Sequence, residues 1–179
     1  LVIGHLNKNS LGSKIEDLKD IVESYIDIII LSETKLDGSF PTQQLKINGF
    51  SEPFRKDRNV HGGGVIIYVR EDIPTKLIST NEINFEGIFL EINLRKRKWL
   101  LFGGYNNHKR NLDTFLGELT HVLDMLIKSF ENFILLGDFN SEMSDSSLIE
   151  FCELSNFKNL VKGATCYKNL SNPSQIDLI

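Results

Sequence analysis

The sequence has few of the features that mark specialised classes of protein. Its two cysteines, Cys152 and Cys166, are too few to build a disulfide framework or a zinc site by themselves. We therefore expect no disulfides and a reducing, intracellular compartment, nuclear or cytoplasmic. No apolar run approaches the roughly 20 residues of a membrane-spanning helix, so no membrane partner is expected. The sequence also has no internal repeat, linker or low-complexity tract.

The sequence has no large excess of charge of either sign. Its 20 Lys and Arg residues and 24 Asp and Glu residues give a formal net charge of −4. A hydrophobic fraction of 41% is too high for a disordered chain. Because no overall positive field attracts nucleic acid, a phosphate-bearing partner must be bound by a local site or a metal. The length favours a single domain, residues 1–179.

Neither end of the sequence carries a targeting signal. Leu1 starts a strand-like run with no initiator methionine, signal peptide or transit segment, and Ile179 lies inside another strand-like run. We interpret the sequence as an internal piece of a longer polypeptide.

Strand and helix patterns alternate along the chain, which favours an α/β or α+β domain. Apolar runs predict strands over Leu1–Leu6, Ile26–Leu31, Val65–Val69, Trp99–Tyr105 and Phe133–Leu136. Helical spacing predicts helices over Ser13–Tyr25, Leu112–Lys128 and Ser147–Leu154. Ser13 with Glu16, and Ser147 with Glu150, match the capping-box pattern of a helix start.

The apolar stripes of the two longer helices should be buried against the sheets. The stripes are formed by Ile15, Leu18, Ile21, Val22 and Tyr25 in the first helix, and by Phe115, Leu116, Leu119, Val122, Leu123, Leu126 and Ile127 in the second.

Two further patterns indicate turns. Apolar residues mostly alternate over Ile83–Leu94, and the basic run Arg95–Lys98 predicts the tip of a hairpin whose returning strand starts at Trp99. The glycines of Gly62–Gly64 lack the Gly-Lys-Ser/Thr ending of a phosphate-binding loop and precede a strand instead of a helix. They therefore predict a backbone turn.

Polar residues follow the predicted strands where each strand ends, which is where sites form in open α/β sheets. Taken singly, each of them also suits an ordinary turn, helix cap or solvated loop. The candidate groups are Asn7 and Asn9 after the first strand, Glu33 after the second, Tyr105 at the end of the hairpin, Asp138 and Asn140 after the fourth, and Asp177 in the last fragment.

Together, and in this order, these residues resemble the endonuclease/exonuclease/phosphatase family. More narrowly, the sequence is similar to the apurinic-type endonuclease domain that precedes reverse transcriptase in LINE-type (non-LTR) retrotransposons. The resemblance is carried by Leu6–Leu11, Ser32–Asp37, Gly62–Val69, Leu136–Asn140, Thr165–Asn169 and Ser174–Ile179. It implies a four-layer α/β sandwich, with two mostly antiparallel sheets flanked by helices and incomplete at its C-terminal end.

The resemblance also implies roles for individual residues. Glu33 would bind Mg²⁺ or Mn²⁺ with support from Asn7, which is reasonable because Mg²⁺ takes one or two carboxylates, waters and substrate oxygens. Asp138 would orient or deprotonate the attacking water, and Tyr105 would contact the scissile phosphate. The remaining residues would bind the phosphate or support catalysis: Asn7, Asn9, Asn140 and Thr165 on the phosphate side, and Asp177 as the partner of a catalytic histidine.

The sequence departs from the family pattern at two places. The Ser-Asp-His block that follows Asp177 in the family is not within residues 1–179, so we expect the 179-residue piece alone to have little or no nuclease activity. Asn106, Asn107 and His108 stand where relatives often carry a proline-containing loop, which leaves substrate preference open.

Three functions remain open at this stage. The first is a Mg²⁺-dependent phosphodiesterase that nicks DNA to prime a linked reverse transcriptase. The second is a phosphatase or phosphodiesterase of the same fold that acts on an inositol phosphate, nucleotide or phospholipid. The third is a non-catalytic retroelement fragment.

Overall fold

The computed structural model describes residues 1–80, 84–142, 144–162, 165 and 177–178. Within these residues the strands form two sheets. Across the first sheet lie β1 (Ile3–Asn7), β2 (Ile28–Ser32), β4 (Val65–Val69) and β3 (Phe54–Lys56). Across the second lie β5 (Thr75–Ile78), β6 (Glu86–Leu94), β7 (Arg97–Tyr105), β8 (Asn132–Asp138) and β9 (Asp177–Leu178). The helices are α1 (Ile15–Tyr25), α2 (Leu112–Leu126), α3 (Ser146–Leu154) and a short 3₁₀ helix, Thr42–Leu45.

Both sheets are mixed but mostly antiparallel, as expected. Only the β1–β2 and β7–β8 pairs, among the strands that the structure describes, run parallel. In those pairs Asn7 lies opposite Ser32, and Tyr105 lies opposite Asp138. Parallel pairing therefore brings the polar residues that follow these strands to the same edge of each sheet.

Three apolar clusters separate four layers. Between the sheets, Ile30 and Ile67 of the first pack with residues such as Leu101 of the second. On the outer side of the first sheet, α1 buries Leu18 and Val22 completely. The outer cluster of the second sheet contains α2 and α3 residues, including Phe115, Leu119, Val122, Leu148 and Phe151. The four-layer sandwich with two sheets flanked by helices is thus confirmed.

The sheets approach closely at Gly103 in β7. A Cβ atom built there would lie 2.7 Å from Ile67 Cδ1 and 2.9 Å from Ile30 Cγ1, both in the opposite sheet. Only glycine fits this spacing without displacement of its neighbours.

The second helix begins at Leu112 as predicted, but the predicted starts of the other two helices were wrong in detail. The N-cap of α1 is Lys14, without a side-chain cap bond, because a turn that follows buried Leu11 leads into the helix. The N-cap of α3 is Asp145, whose side chain accepts from the Ser147 backbone N–H. Its carboxylate occupies the capping position that the sequence pattern assigned to Ser147.

The first and third helices end at Tyr25 and Leu154 as predicted, but burial at the end of α1 and the end of α2 differ from the prediction. Tyr25 is 82% exposed at the last position of α1, although Ile15, Leu18 and Val22 of the predicted stripe are buried. The second helix ends at Leu126 instead of Lys128, so Ile127 is 58% exposed, and Leu126 packs only at the edge of the cluster.

The strands match the prediction except at their limits and in two additions. The first strand runs from Ile3 to Asn7, so that Asn7 lies inside it, and β8 is longer than the predicted Phe133–Leu136. β3 and β5 were not predicted. Arg95 and Lys96 form the hairpin tip with positive φ angles, and Gly63 and Gly64 form a turn. Ile83, Cys166 and the rest of 166–176 lie outside the described residues.

None of the helices in the described part of the chain is long and apolar enough to cross a membrane.

Candidate active site

One amide joins two carboxylates from opposite sheets. Asn7, at the end of β1, donates from Nδ2 to Glu33 Oε1 at 3.0 Å and to Asp138 Oδ2 at 2.8 Å. Glu33 follows β2 in the first sheet, whereas Asp138 ends β8 in the second. The site therefore lies across the join between the sheets, and both carboxylates are held in fixed positions by the same side chain.

Tyr105, which is buried at the end of β7, donates a second hydrogen bond to Glu33. Its hydroxyl lies 3.1 Å from Glu33 Oε1. Burial raises the pKa of the Tyr105 phenol above its usual range, and the negative charges of Glu33 and Asp138 raise it further. Tyr105 therefore keeps its proton and acts as a neutral hydrogen-bond donor at this site.

Asp138 is buried and accepts from a tight turn that brings Asn140 beside it. The Asn140 backbone N–H donates to Asp138 Oδ1 at 2.9 Å, and Asn140 has a φ of 50°. The Asn140 side chain donates to the Asn106 carbonyl at 2.8 Å. Asn106, buried as well, donates from its side chain to the Phe139 carbonyl, so the segments that follow β7 and β8 are tied together.

The backbone around Glu33 is held on both sides. Glu33 and Lys35 both have φ angles of 52°, in the left-handed region that side chains rarely adopt. On one side the Ser10 N–H donates to the Glu33 carbonyl at 2.8 Å. On the other side the Lys35 N–H donates to the Gly63 carbonyl at 2.9 Å. Glu33 is therefore held in a strained backbone conformation by its neighbours.

Two charged residues that no sequence pattern indicated, Glu86 and Arg58, hold the Gly62–Gly64 turn. The Glu86 carboxylate at the start of β6 accepts from the Gly64 N–H and, at 2.6 Å, from the Arg58 guanidinium. Arg58 also donates to the Gly62 carbonyl at 2.9 Å. No motif indicated the contacts of Glu86, because it lies 22 residues from Gly64 and 28 residues from Arg58 in the sequence.

A cleft of about 290 Å³ opens beside Glu33 and Tyr105. Lys35 and Lys109 line it, and neither forms an ion pair with any residue in the described ranges. The sequence analysis gave no role to these lysines or to the cleft's two histidines. Its other lining residues are Arg58, His61, Gly62, Gly63, Asn107 and His108. This acidic chain therefore has a locally cationic surface next to the candidate site.

The donor set suits a divalent ion such as Mg²⁺. Glu33 Oε2 accepts no hydrogen bond from the described residues, whereas Oε1 is held by Asn7 and Tyr105. Among the described residues, no three His, Cys, Asp or Glu side chains come together as a complete set of protein ligands. Mg²⁺ fits such a site because it keeps several waters and takes one or two carboxylates together with substrate oxygens. Glu33 would be the protein's ligand for the ion.

The other predicted site residues have looser connections. The amide oxygen of Asn7 accepts from the Asn9 N–H at 3.2 Å, and the Asn9 side chain accepts from Lys35. The backbone of Asp177 lies opposite Asp138 in the β8–β9 pair. Thr165 is a half-buried residue outside the helices and strands. The roles given to these residues stay predictions.

The sequence profile of the Endonuclease/Exonuclease/phosphatase family matches residues 6–176. The chain belongs to this family. The match includes Asn7, Glu33, Tyr105, Asp138 and Asn140 and ends one residue before Asp177. Enzymes of this family generally depend on a divalent metal ion.

Solved structures with different activities share the fold. The endonuclease domain of TRAS1, a telomere-specific non-LTR retrotransposon, is 14% identical, with a TM-score of 0.72 over 98% of this chain and 81% of that one. A mannosyl-6-phosphatase from Bacteroides thetaiotaomicron is 15% identical, with a TM-score of 0.70 over 99% and 84%. A 3′-5′ exonuclease from Neisseria meningitidis is 17% identical, with a TM-score of 0.67 over 98% and 84%.

These structural likenesses show that the chain has a fold shared by nucleases and phosphatases. They do not decide which of the two activities it has. No curated protein matches the chain significantly by sequence.

Proposed function

We propose that this chain is the endonuclease part of a mobile-element protein, a Mg²⁺- or Mn²⁺-dependent phosphodiesterase that nicks DNA inside the cell, in the nucleus or cytoplasm. The nick would leave a 3′-hydroxyl from which a linked reverse transcriptase starts synthesis. The observation that carries the proposal is the Asn7 amide, which joins Glu33 and Asp138 across the two sheets. It is supported by the likeness to the TRAS1 endonuclease domain.

Each residue of the site has a task in hydrolysis of a phosphodiester. The bound metal would stabilise negative charge on the phosphoryl oxygens. Asp138, held by Asn7 and by the Asn140 N–H, would accept a proton from the attacking water. Tyr105 stays protonated beside Glu33, so its hydroxyl can donate to a phosphate oxygen without adding negative charge.

The cationic cleft favours a polynucleotide over a small phosphomonoester. A phosphodiester strand has further phosphates on either side of the bond that is cut, and they need cations beyond the metal site. Lys35 and Lys109 in the cleft beside Glu33 suit such a phosphate. Because the chain as a whole carries a negative formal charge, this local concentration of positive charge favours binding of a phosphate in the cleft over binding elsewhere on the surface.

The alternative is a phosphatase or phosphodiesterase that acts on a small phosphorylated substrate, and the likeness to the mannosyl-6-phosphatase favours it. Salt dependence of DNA binding separates the two. Lys109→Ala should lower the slope of log affinity against log salt by about one, because one phosphate contact is lost. Lys128→Ala, an exposed lysine after α2, is the matched control. An unchanged slope in Lys109→Ala would favour the small substrate.

Nicking of supercoiled plasmid by the natural polypeptide that contains this sequence tests the activity. Nicking should require Mg²⁺ or Mn²⁺ and stop on chelation. Asp138→Ala should slow it by about 10²–10⁴-fold, the usual contribution of a general acid or base. Glu33→Ala should instead raise the metal concentration needed, because it removes the ion's anchor.

The control for these variants is Asp124→Ala, which removes an exposed carboxylate from α2 and should leave nicking unchanged. Metal-independent nicking, or an unchanged metal requirement in Glu33→Ala, would contradict the proposal. Metal-dependent release of phosphate from small monoesters without nicking would support the alternative.

A further inference from the structure

The Glu86–Arg58 pair lies outside the residues that the family resemblance assigned to the site, yet it contacts the segment that holds Glu33. We propose that Glu86 and Arg58 are positioning residues that keep the Glu33 carboxylate in its metal-binding position by holding the Gly62–Gly64 turn. The inference rests on the proposed metal role of Glu33.

The backbone beside Glu33 is bonded to the glycine turn. The Thr34 N–H donates to the Gly64 carbonyl at 3.3 Å, and the Lys35 N–H donates to the Gly63 carbonyl at 2.9 Å. Glu33 and Lys35 are in the left-handed region, which is unfavourable for a residue other than glycine and persists only where the surroundings impose it. The glycine turn supplies part of that constraint.

Glu86 and Arg58 in turn hold the glycine turn in place. Gly63 and Gly64 have φ angles of 69° and 90°. Because glycine adopts positive and negative φ angles about equally readily, the two glycines do not by themselves fix the conformation of the turn. The Glu86 carboxylate accepts from the Gly64 N–H, and Arg58 bonds both Glu86 and the Gly62 carbonyl. A Cβ atom on Gly63 would collide with Glu86, so carboxylate and turn are in direct contact.

Glu86 belongs to the second sheet and lies next to Tyr105. Its backbone lies opposite Tyr105 in the β6–β7 pair, and the Tyr105 hydroxyl bonds Glu33 at 3.1 Å. A closed circuit of contacts therefore runs from Thr34 and Lys35, next to Glu33, to the glycine turn, then to Glu86, to Tyr105 and back to Glu33. Loss of Glu86 should loosen Glu33 without removing any group that touches metal or substrate.

The test uses the 179-residue chain and two readouts. Hydrogen exchange of the Thr34 and Lys35 amides reports the position of the turn, and Mn²⁺ titration by calorimetry reports the metal site. Glu86→Ala should speed exchange at both amides and weaken Mn²⁺ binding by about 10–100-fold, the usual effect of losing a partner that orients a metal ligand. In Glu86→Gln the amide oxygen can still accept from the Gly64 N–H, so we expect a smaller loss.

The matched control is Glu91→Ala in the same strand. Glu91 pairs with Lys98 at 3.1 Å, and its side chain is 19% exposed, against 16% for Glu86. Its variant should leave both readouts unchanged. If Glu86→Ala fails to fold, Glu86→Gln and Arg58→Gln carry the test, and both should speed exchange at Thr34 and Lys35.

The outcomes separate the two proposals. Wild-type exchange rates and Mn²⁺ affinity in the Glu86 variants would overturn the positioning role. Faster exchange in Glu86→Ala with no Mn²⁺ binding by any variant, wild type included, would support the contact circuit and overturn the metal site of the proposed function.

Discussion

Backbone strain is concentrated around Glu33. Five residues other than glycine near the site have positive φ angles: Asn9, Ser10, Glu33, Lys35 and Asn140. Asparagine tolerates this region, but serine, glutamate and lysine occupy it at a cost. Such strain is common where a side chain must be held in one orientation. The hydrogen bonds of Ser10 and Lys35 to neighbouring segments offset it here.

Tyr68 is a residue whose polar atom opposes stability. It is fully buried on β4, its ring packs edge-on against Phe50 at 6.5 Å, and its hydroxyl finds no hydrogen-bond partner in the described part of the chain. A buried hydroxyl without a partner costs about 1–3 kcal/mol. Tyr68→Phe should therefore raise the free energy of unfolding by about 1 kcal/mol, measured by urea denaturation at pH 8.

The same substitution should change the response to alkaline pH. Burial raises the pKa of Tyr68 in the folded chain above the usual value, whereas the unfolded chain ionises near pH ~10. The wild type should therefore lose stability as the pH rises from the pKa of the unfolded chain towards the higher pKa of the folded chain, because only the unfolded chain gives up its proton there. Between pH 8 and 10.5, Tyr68→Phe should lose less stability than the wild type. A variant that is less stable at pH 8 would contradict the account.

At the scale of elements, helix caps show where sequence patterns stop being sufficient. The capping-box pattern occurs at Ser13, yet Lys14 is the N-cap because a turn after buried Leu11 sets where the helix starts. At α2, by contrast, Asn111 caps the helix by accepting from the Thr114 N–H at 3.0 Å. The pattern indicates that a helix begins nearby, and tertiary packing decides at which residue.

Asn111 and Ser13 form a matched pair of substitutions for this point. Asn111→Ala removes a side-chain cap and should lower the free energy of unfolding by about 1 kcal/mol, within the usual 0.5–2 range. Ser13→Ala removes a hydroxyl from an exposed turn and should change it by less than about 0.5 kcal/mol. Thermal and urea denaturation measure both, and an equal loss in the two variants would show that Ser13 also caps its helix.

At the scale of the whole molecule, the site could be predicted only in part. Asn7, Glu33, Tyr105 and Asp138 all end or follow strands, and parallel pairing predicts that such ends meet. Glu86, Arg58 and Lys109 could not be found in this way. Their contacts depend on how the two sheets face each other and on the path of the turns between strands. The spacing of apolar residues within single segments predicts neither the packing of the two sheets nor the path of these turns.

The close approach of the sheets at Gly103 gives a prediction for the entire sandwich. Gly103→Ala would push against Ile67 and Ile30 and should cost about 1–3 kcal/mol of unfolding free energy, as overpacked cores do. Gly117→Ala is the control, since nothing lies within 4 Å of a Cβ there and the residue is exposed inside α2. It should add about 0.4–1 kcal/mol. Denaturation of both variants measures the difference, and a neutral Gly103→Ala would mean that the sheets can shift apart.

The division of the strands between the sheets has a practical consequence. Residues 3–69 supply the first sheet and 75–178 the second, and residues 70–74, all exposed or half-buried, join them. Asn7 and Glu33 belong to one half, Tyr105 and Asp138 to the other. A chain cut within residues 70–74 would therefore yield two complementary fragments, the first with the proposed metal ligand Glu33 and the second with Asp138. In the first fragment alone, Glu33 would lack the hydrogen bond from Tyr105, so the proposed metal binding would weaken and its recovery would report reassociation of the fragments, as in a split-protein sensor.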